Sequence, residues 1–424
     1  MNDPKGLSLI FRALSSRNYR LFFGGQGISL IGTWMQQIAM SWLVYRMTNS
    51  PFLLGLIGFS SQICSLFFSP FAGVISDRWN RHRILVATQS LAMVQAFILA
   101  TLTLTGAVTI SHLIVLALFL GFVNAFDMPT RQAFVVEMVE KREDLGNAIA
   151  LNSFLFNSAR LVGPSVAGVL ISILGEGMCF LLNAFSFLAV IVALLAMKIS
   201  DDKKRTRGTQ VLLGFKEGFT YALGFPPIRS ILLFLGLISL VGTANTTLMP
   251  VFAKRILHGG AQTYGFLMAA IGAGAIIGAI FLASRRSVLG LGRIIVIASC
   301  IFGIGLISFS LSHTLWLSFS VLLLVGFGMM VEMASSNTIL QTMVDDDKRG
   351  RVMSLYVMAF MGMAPLGSLA GGSLAGVIGA PYTLIIGGAS CLLGSFIFTK
   401  KLPMIREMVR PIYIRKGILS EKST

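Results

Sequence analysis

Gly73-Val-Ile-Ser-Asp-Arg-Trp-Asn-Arg-His-Arg83 is a charged turn set between two apolar runs, about residues 53–76 and 84–105. Each run is long enough to cross the ~30 Å hydrocarbon core of a bilayer as a helix. A turn this short joins adjacent membrane helices on one side of the membrane. The composition agrees. Of 424 residues, 55% are hydrophobic and 12% charged, with mean hydropathy +0.81, against about 25% charged in soluble domains. A soluble protein is excluded.

Working outward, further apolar runs give twelve expected spans, at about 21–45, 53–76, 84–105, 111–128, 148–173, 178–198, 229–253, 263–284, 294–312, 315–336, 352–377 and 382–399. Placed on this map, 30 of the 34 Lys and Arg fall at the termini and the loops on their side. Only Arg46, Lys254 and Arg255 fall on the other side, and Arg160 alone lies inside a span. The positive-inside rule therefore places both termini in the cytoplasm and makes the number of spans even. The net charge of +17 then faces anionic lipid headgroups, not nucleic acid. The N-terminus is polar and basic, unlike a cleaved signal peptide. Cys64, Cys179, Cys300 and Cys391 occupy different spans and indicate neither disulfide nor metal.

The chain repeats itself. Ile28-Ser-Leu-Ile-Gly-Thr33 recurs 210 residues later as Ile238-Ser-Leu-Val-Gly-Thr243. At an offset of 205, Gly121-Phe122, Asp127-Met128 and Met138-Val139 recur as Gly326-Phe327, Glu332-Met333 and Met343-Val344. The expected organisation is a six-helix half at 1–198, a cytoplasmic linker at 199–228 with an amphipathic helix over Leu212–Leu223, a second half at 229–400, and a basic tail at 401–424.

The turn Gly-x3-Asp-Arg-x-x-Arg-x-Arg resembles the signature loop after the second helix of the major facilitator superfamily of secondary transporters. Its residues here are Gly73, Asp77, Arg78, Arg81 and Arg83, with Asn80 where the family usually has Gly. Asn tolerates the left-handed backbone that Gly would take. Asn18-Tyr-Arg-Leu-Phe-Phe23, Asn124-Ala-Phe-Asp-Met-Pro-Thr-Arg-Gln-Ala-Phe134 and Arg349-Gly-Arg-Val-Met-Ser354 are similar to the branch of enterobactin, macrolide and drug exporters. Gly163-Pro-Ser-Val-Ala-Gly168 resembles the Gly-Pro-x-x-Gly-Gly signature of proton-coupled exporters, with Ala167 in place of one Gly. Gly163, Pro164 and Gly168 would let two helices touch closely. Ordinary small-residue packing is the alternative.

The resemblance implies an all-α integral membrane fold of two pseudo-symmetric six-helix halves, and secondary transport of a small molecule. Export of a hydrophobic or amphipathic substrate against protons is the first expectation, as a bacterial inner-membrane monomer with no cofactor. Uptake, or lysolipid flipping, in the same fold is the alternative. A membrane lipid enzyme would need acids, His or Cys converging at one depth, which the isolated Asp127 and Glu332 do not supply.

Individual residues carry competing expectations. Gln36, Gln37 and Asn245 lie in spans one and seven, which line the cavity of this fold, where polar groups suit a wet path. Asp77 can cap a helix N-terminus in the other half. Asp127 and Glu332 are placed near the cytoplasmic ends of spans four and ten. Each either closes a gate, Asp127 with Arg81 and Glu332 with Arg285 or Arg286, or carries the driving proton. Arg160 either binds substrate or a gating acid, or hydrogen-bonds to helix carbonyls or Asn157.

Overall fold

The computed structural model describes residues 11–198, 220–285 and 287–419. Among them there is no strand. A 3₁₀ turn at Arg12–Ser15 precedes α1 (Arg17–Thr48), α2 (Pro51–Arg78), α3 (Arg81–Leu104), α4 (Ile110–Met138), α5 (Leu145–Leu174) and α6 (Glu176–Leu195). The second series is α7 (Pro226–Val251), α8 (Ala261–Ala283), α9 (Leu291–Ser310), α10 (Leu315–Met343), α11 in two segments (Asp346–Met361 and Met363–Ile378), and α12 (Ala380–Arg415). Eleven helical stretches of the described residues are long and apolar enough to span a bilayer. The helix outside that set, α1, has the length but carries Gln26, Gln36 and Gln37 together with Gly24, Gly25, Gly27, Ser29, Gly32 and Thr33, so its composition is more polar. Most of the expected linker helix lies outside the described residues.

Two expected boundaries fall short of the observed ones. The apolar runs put spans four and ten at about 111–128 and 315–336, but α4 runs to Met138 and α10 to Met343. The α4 helix passes through Pro129, which reads as a terminator because it lacks an N–H and crowds the preceding turn. As a result Asp127 and Glu332 sit well inside their helices, each at the eighteenth position of a 29-residue helix. The last helix likewise continues past 399 to Arg415.

The turns are set by local chemistry. Asn80 is not left-handed. Its φ is −69°, and its side-chain oxygen accepts from the Arg83 N–H at 3.2 Å, so it caps α3. Asn serves there as an N-cap acceptor, which Gly cannot be. Gly175 and Gly379, with φ of +80° and +89°, make the equivalent reversals before α6 and α12.

By their contacts the residues form two compact units. One comprises Met1–Asn49, Ser60–Thr209 and His258–Ala269; the other comprises Ser50–Phe59, Gln210–Leu257 and Ala270–Thr424. The start of α2 therefore groups with the second unit, and the start of α8 with the first. Inside lipid, apolar burial does not drive helices together, so close contact depends on small residues. Gly372 of α11 faces Gly55 of α2: a Cβ at Gly372 would lie 2.6 Å from the Gly55 Cα and 2.6 Å from the Pro51 carbonyl oxygen.

The end of each helix series that carries the basic loops is clamped by the adjoining terminus. In the first unit the Tyr19 hydroxyl donates to the Ala148 carbonyl at 2.7 Å, the Asn18 amide to the Lys198 carbonyl at 2.9 Å, and Arg12 pairs with Asp144. In the second, Arg415 pairs with Asp345 at 2.5 Å, and Lys416 donates to the Thr342 and Val344 carbonyls at 2.8 Å each. A cation on the last carbonyls of α10 also suits the negative end of that helix dipole.

Candidate functional site

Two buried acids occupy matching positions in the two series, and their surroundings differ in one decisive respect. Asp127, 3% exposed, accepts from the Thr88 hydroxyl at 2.9 Å and the Gln89 amide at 2.7 Å, both on Oδ1. Its Oδ2 faces the Arg131 guanidinium at 3.1 Å, one helical turn along α4. The carboxylate is thus hydrogen-bonded and charge-paired.

Glu332 is fully buried, and its one hydrogen bond among the described residues is from the Ser336 hydroxyl to Oε1, at 2.9 Å. Oε2 has no partner. Ser336 stands where the 205-residue offset puts the counterpart of Arg131, so a cation in the first series is replaced by a hydroxyl in the second. The preceding residues match as well: Thr130 and Ser335 are both fully buried, with hydroxyls that find no partner. At the 210-residue offset Gln89 corresponds to Ser299, another buried hydroxyl without a partner. Tyr356 of α11 donates to the Met333 carbonyl, next to Glu332 in the chain, at 3.1 Å. A charge on Glu332 would have no counter-charge among these groups, a costly arrangement in a dry interior.

The expected pairing of Asp127 with Arg81 does not occur. Arg81 donates to Glu137 Oε1 at 2.9 Å and to the Ser76 carbonyl at 3.2 Å. Glu137 becomes available because α4 continues to Met138, and Arg131 reaches Asp127 first through its i,i+4 spacing. Nor does Glu332 pair with Arg285, whose guanidinium donates to the Leu289 carbonyl at 3.2 Å. Arg286 lies outside the described residues. Of the loop motif, the side chain of Asp77 and the surroundings of Gly73 also lie outside them, while Arg78 and Arg83 are exposed.

Gln36 and Gln37, expected together in a cavity, separate. Gln36 is 3% exposed and joins three helices: the Asn183 amide donates to its Oε1 at 2.7 Å, and its own amide donates to Gln95 Oε1 at 3.1 Å. Gln95 in turn donates to the Leu116 carbonyl at 3.3 Å. This is a structural clamp over α1, α3, α4 and α6. Gln37 is exposed. Asn245 of α7 is 1% exposed, and its Oδ1 has no hydrogen-bond partner among the described residues.

The Gly163–Gly168 stretch serves two neighbours. A Cβ at Gly163 would lie 2.5 Å from the Trp34 Cβ, so this residue seats α5 on α1. A Cβ at Gly168 would lie 2.9 Å from the Ala261 carbonyl oxygen and 3.2 Å from the Gly265 Cα, seating α5 on the start of α8. Pro164 presents its carbonyl to Gly265 at the same crossing. One turn before Gly163, Arg160 lies over the Trp34 ring, 5.9 Å from its centroid, and Phe156 meets that ring edge-on at 5.8 Å. Asn157 does not bind Arg160; its amide donates to the Ser153 carbonyl at 2.8 Å.

Arg131, Ser336, Glu137, Gln95, Asn183 and Trp34 are site residues that the sequence reading did not select. The repeat offset, applied one turn beyond the two acids, points to the first two.

The family described as transmembrane secretion effector matches residues 10–411. The staphyloferrin A transporter of Staphylococcus aureus is 28% identical over 389 residues, covering 89% of this chain and 95% of that protein. The multidrug efflux pump Tap of Mycolicibacterium fortuitum is 24% identical over 420 residues, covering 96% and 98%. Among solved structures, a bacterial homologue of the iron transporter ferroportin in an inward-facing state superposes with a TM-score of 0.72 at 14% identity, over 93% of this chain and 99% of that one.

Proposed function

We propose a proton-coupled exporter of amphipathic small molecules, from the premise that this chain belongs to the transmembrane secretion effector family of major facilitator transporters. It is a multi-pass membrane transporter and not an enzyme. The family description and the efflux relative favour export. Thirty cations against three favour cytoplasmic termini in a bacterial inner membrane.

The observation that carries the coupling is the contrast between the two matched acids. Asp127 has Arg131 and two donors around its carboxylate, which suits a structural lock. Glu332 has one hydroxyl. A proton on Oε2 removes the charge that this pocket does not compensate, and opening the pocket to water lets the proton leave. We assign Glu332 the driving proton and Asp127 the lock. In this scheme residues 1–198 and 229–400 are the moving bodies, joined by 199–228. The loop of Gly73, Asp77, Arg78, Arg81 and Arg83 latches the cytoplasmic side, with Arg81–Glu137 as its ion pair. Gly163, Pro164 and Gly168 form the packing surface on which α5 moves, and Gln37 and Asn245 contribute polar groups to the path.

The test is substrate-dependent proton flux in proteoliposomes, screened over siderophores, macrolides, cationic dyes and lysolipids. Export predicts proton movement opposite to substrate, and uptake predicts movement in the same direction. Lipid turnover without flux for any candidate would overturn the assignment.

A further inference from the structure

We propose that the transported molecule carries a carboxylate or similar anionic group beside an apolar body, and that Arg160 binds that group at the middle of the membrane. The proposal rests on the transport reading above.

Arg160 is the sixteenth residue of the 30-residue helix α5, with fourteen residues beyond it. At 1.5 Å per residue it stands about 20 Å from either helix end, out of reach of a lipid phosphate for a side chain of about 7 Å. A cation at that depth is costly unless something answers it. Four other arginines meet acids: Arg131 meets Asp127, Arg81 meets Glu137, Arg46 meets Glu176 at 2.7 Å, and Arg12 meets Asp144. Among the described residues Arg160 has neither an ion pair nor a hydrogen bond. Its one recorded interaction is with the face of Trp34.

That interaction defines what remains free. The guanidinium carbon stands 5.9 Å from the ring centroid, and a cation–π attraction needs no hydrogen bond, so the N–H donors stay available. Those donors form a fork that suits a carboxylate in bidentate contact. Arg160 as a whole is partly exposed. Ser153, Phe156, Asn157 and Arg160 recur at helical spacing, and none of the four is buried. They make a stripe with two neutral polar groups, one aromatic and one cation, against which Trp34 and Phe156 offer a wall for an apolar body. A purely hydrophobic or cationic substrate would leave the fork unused.

The experiment uses the full chain in phosphatidylcholine nanodiscs, with Trp42, Trp79 and Trp316 replaced by Phe so that Trp34 is the sole indole. Its fluorescence is titrated with 4-phenylbutyrate, 4-phenylbutanol and 4-phenylbutylamine, and separately with sodium acetate and sodium chloride. The expected result is saturable binding of the carboxylate about tenfold or more tighter than of the alcohol or amine. Arg160→Gln should abolish the preference, and Arg160→Lys should retain part of it as a point charge. Equal binding of carboxylate and alcohol, no saturable carboxylate signal, or a preference that survives Arg160→Gln would overturn the proposal. So would an equal response to acetate or chloride, which would mark a simple anion site. If Arg160→Gln fails to fold, the probe series on the unsubstituted arginine decides alone. Binding without proton-linked flux would sink the exporter reading and leave this one standing.

Discussion

The crossing of α2 and α11 allows a quantitative wedge. Replacing Gly372 by Ala adds a Cβ that would sit 2.6 Å from the Gly55 Cα, 2.6 Å from the Pro51 carbonyl oxygen and 2.8 Å from the Gly55 nitrogen. All three are backbone atoms, so no side chain can turn aside. Restoring ordinary contact near 3.4 Å requires the helices to part by roughly 0.8 Å, at the overpacking cost of about 1–3 kcal/mol. If this crossing opens during transport, the cost falls on the closed arrangement alone. A two-state equilibrium then shifts by about 5- to 150-fold toward opening. Ser368 reports it: it is 1% exposed, and its carbonyl oxygen would lie 2.5 Å from a Cβ at Gly55, so it sits directly under the crossing. With the native cysteines removed and Ser368→Cys introduced, Gly372→Ala should raise the rate of labelling by an impermeant maleimide by that factor. Unchanged labelling at normal abundance would show that the crossing does not open. Unchanged thermal stability together with unchanged labelling would refute the packing itself.

Two further substitutions separate structural from coupling roles. Arg131→Ala strands a buried Asp127 carboxylate and should cost about 3–5 kcal/mol of stability, most of it recovered by adding Asp127→Asn. Thermal unfolding in detergent decides this, and a double variant no better than the single one would refute the pairing. Gln36→Leu removes the shared partner of Gln95 and Asn183 and should cost about 1–3 kcal/mol for each group stranded. It should lower the unfolding temperature while sparing the substrate KM, and the opposite pattern would return Gln36 to the transport path.

The membrane-spanning helices and the internal repeat were legible because both are written in the sequence itself: apolar runs of bilayer length, and short matches at fixed offsets. Partners were not. Reading α4 as ending before Pro129 put Glu137 in a loop and left Asp127 as the nearest acid for Arg81. Because α4 continues through the proline, Arg131 and Glu137 fall on the same helix and divide the pairing between them. Gln36 was ambiguous for a different reason. A polar residue in a span suits a wet path or a clamp, and only the arrival of Gln95 and Asn183 from two other helices distinguishes these. The far end of α12 was obscured by Lys400, Lys401, Arg406 and Arg410, whose charge suggested a tail. Its buried face, Leu402, Ile405, Val409 and Tyr413, has helical spacing.

Glu332 is the centre of the account, and one substitution tests it. Once the flux screen has supplied a transported substrate, Glu332→Gln is reconstituted and two modes are measured in the same proteoliposomes: uphill transport driven by an imposed pH gradient, and substrate counterflow without one. Gln keeps the shape of the side chain and removes its capacity to cycle a proton. The account predicts that gradient-driven transport is lost while counterflow and substrate binding persist. Gradient-driven transport that survives Glu332→Gln would contradict it and move the proton carrier elsewhere.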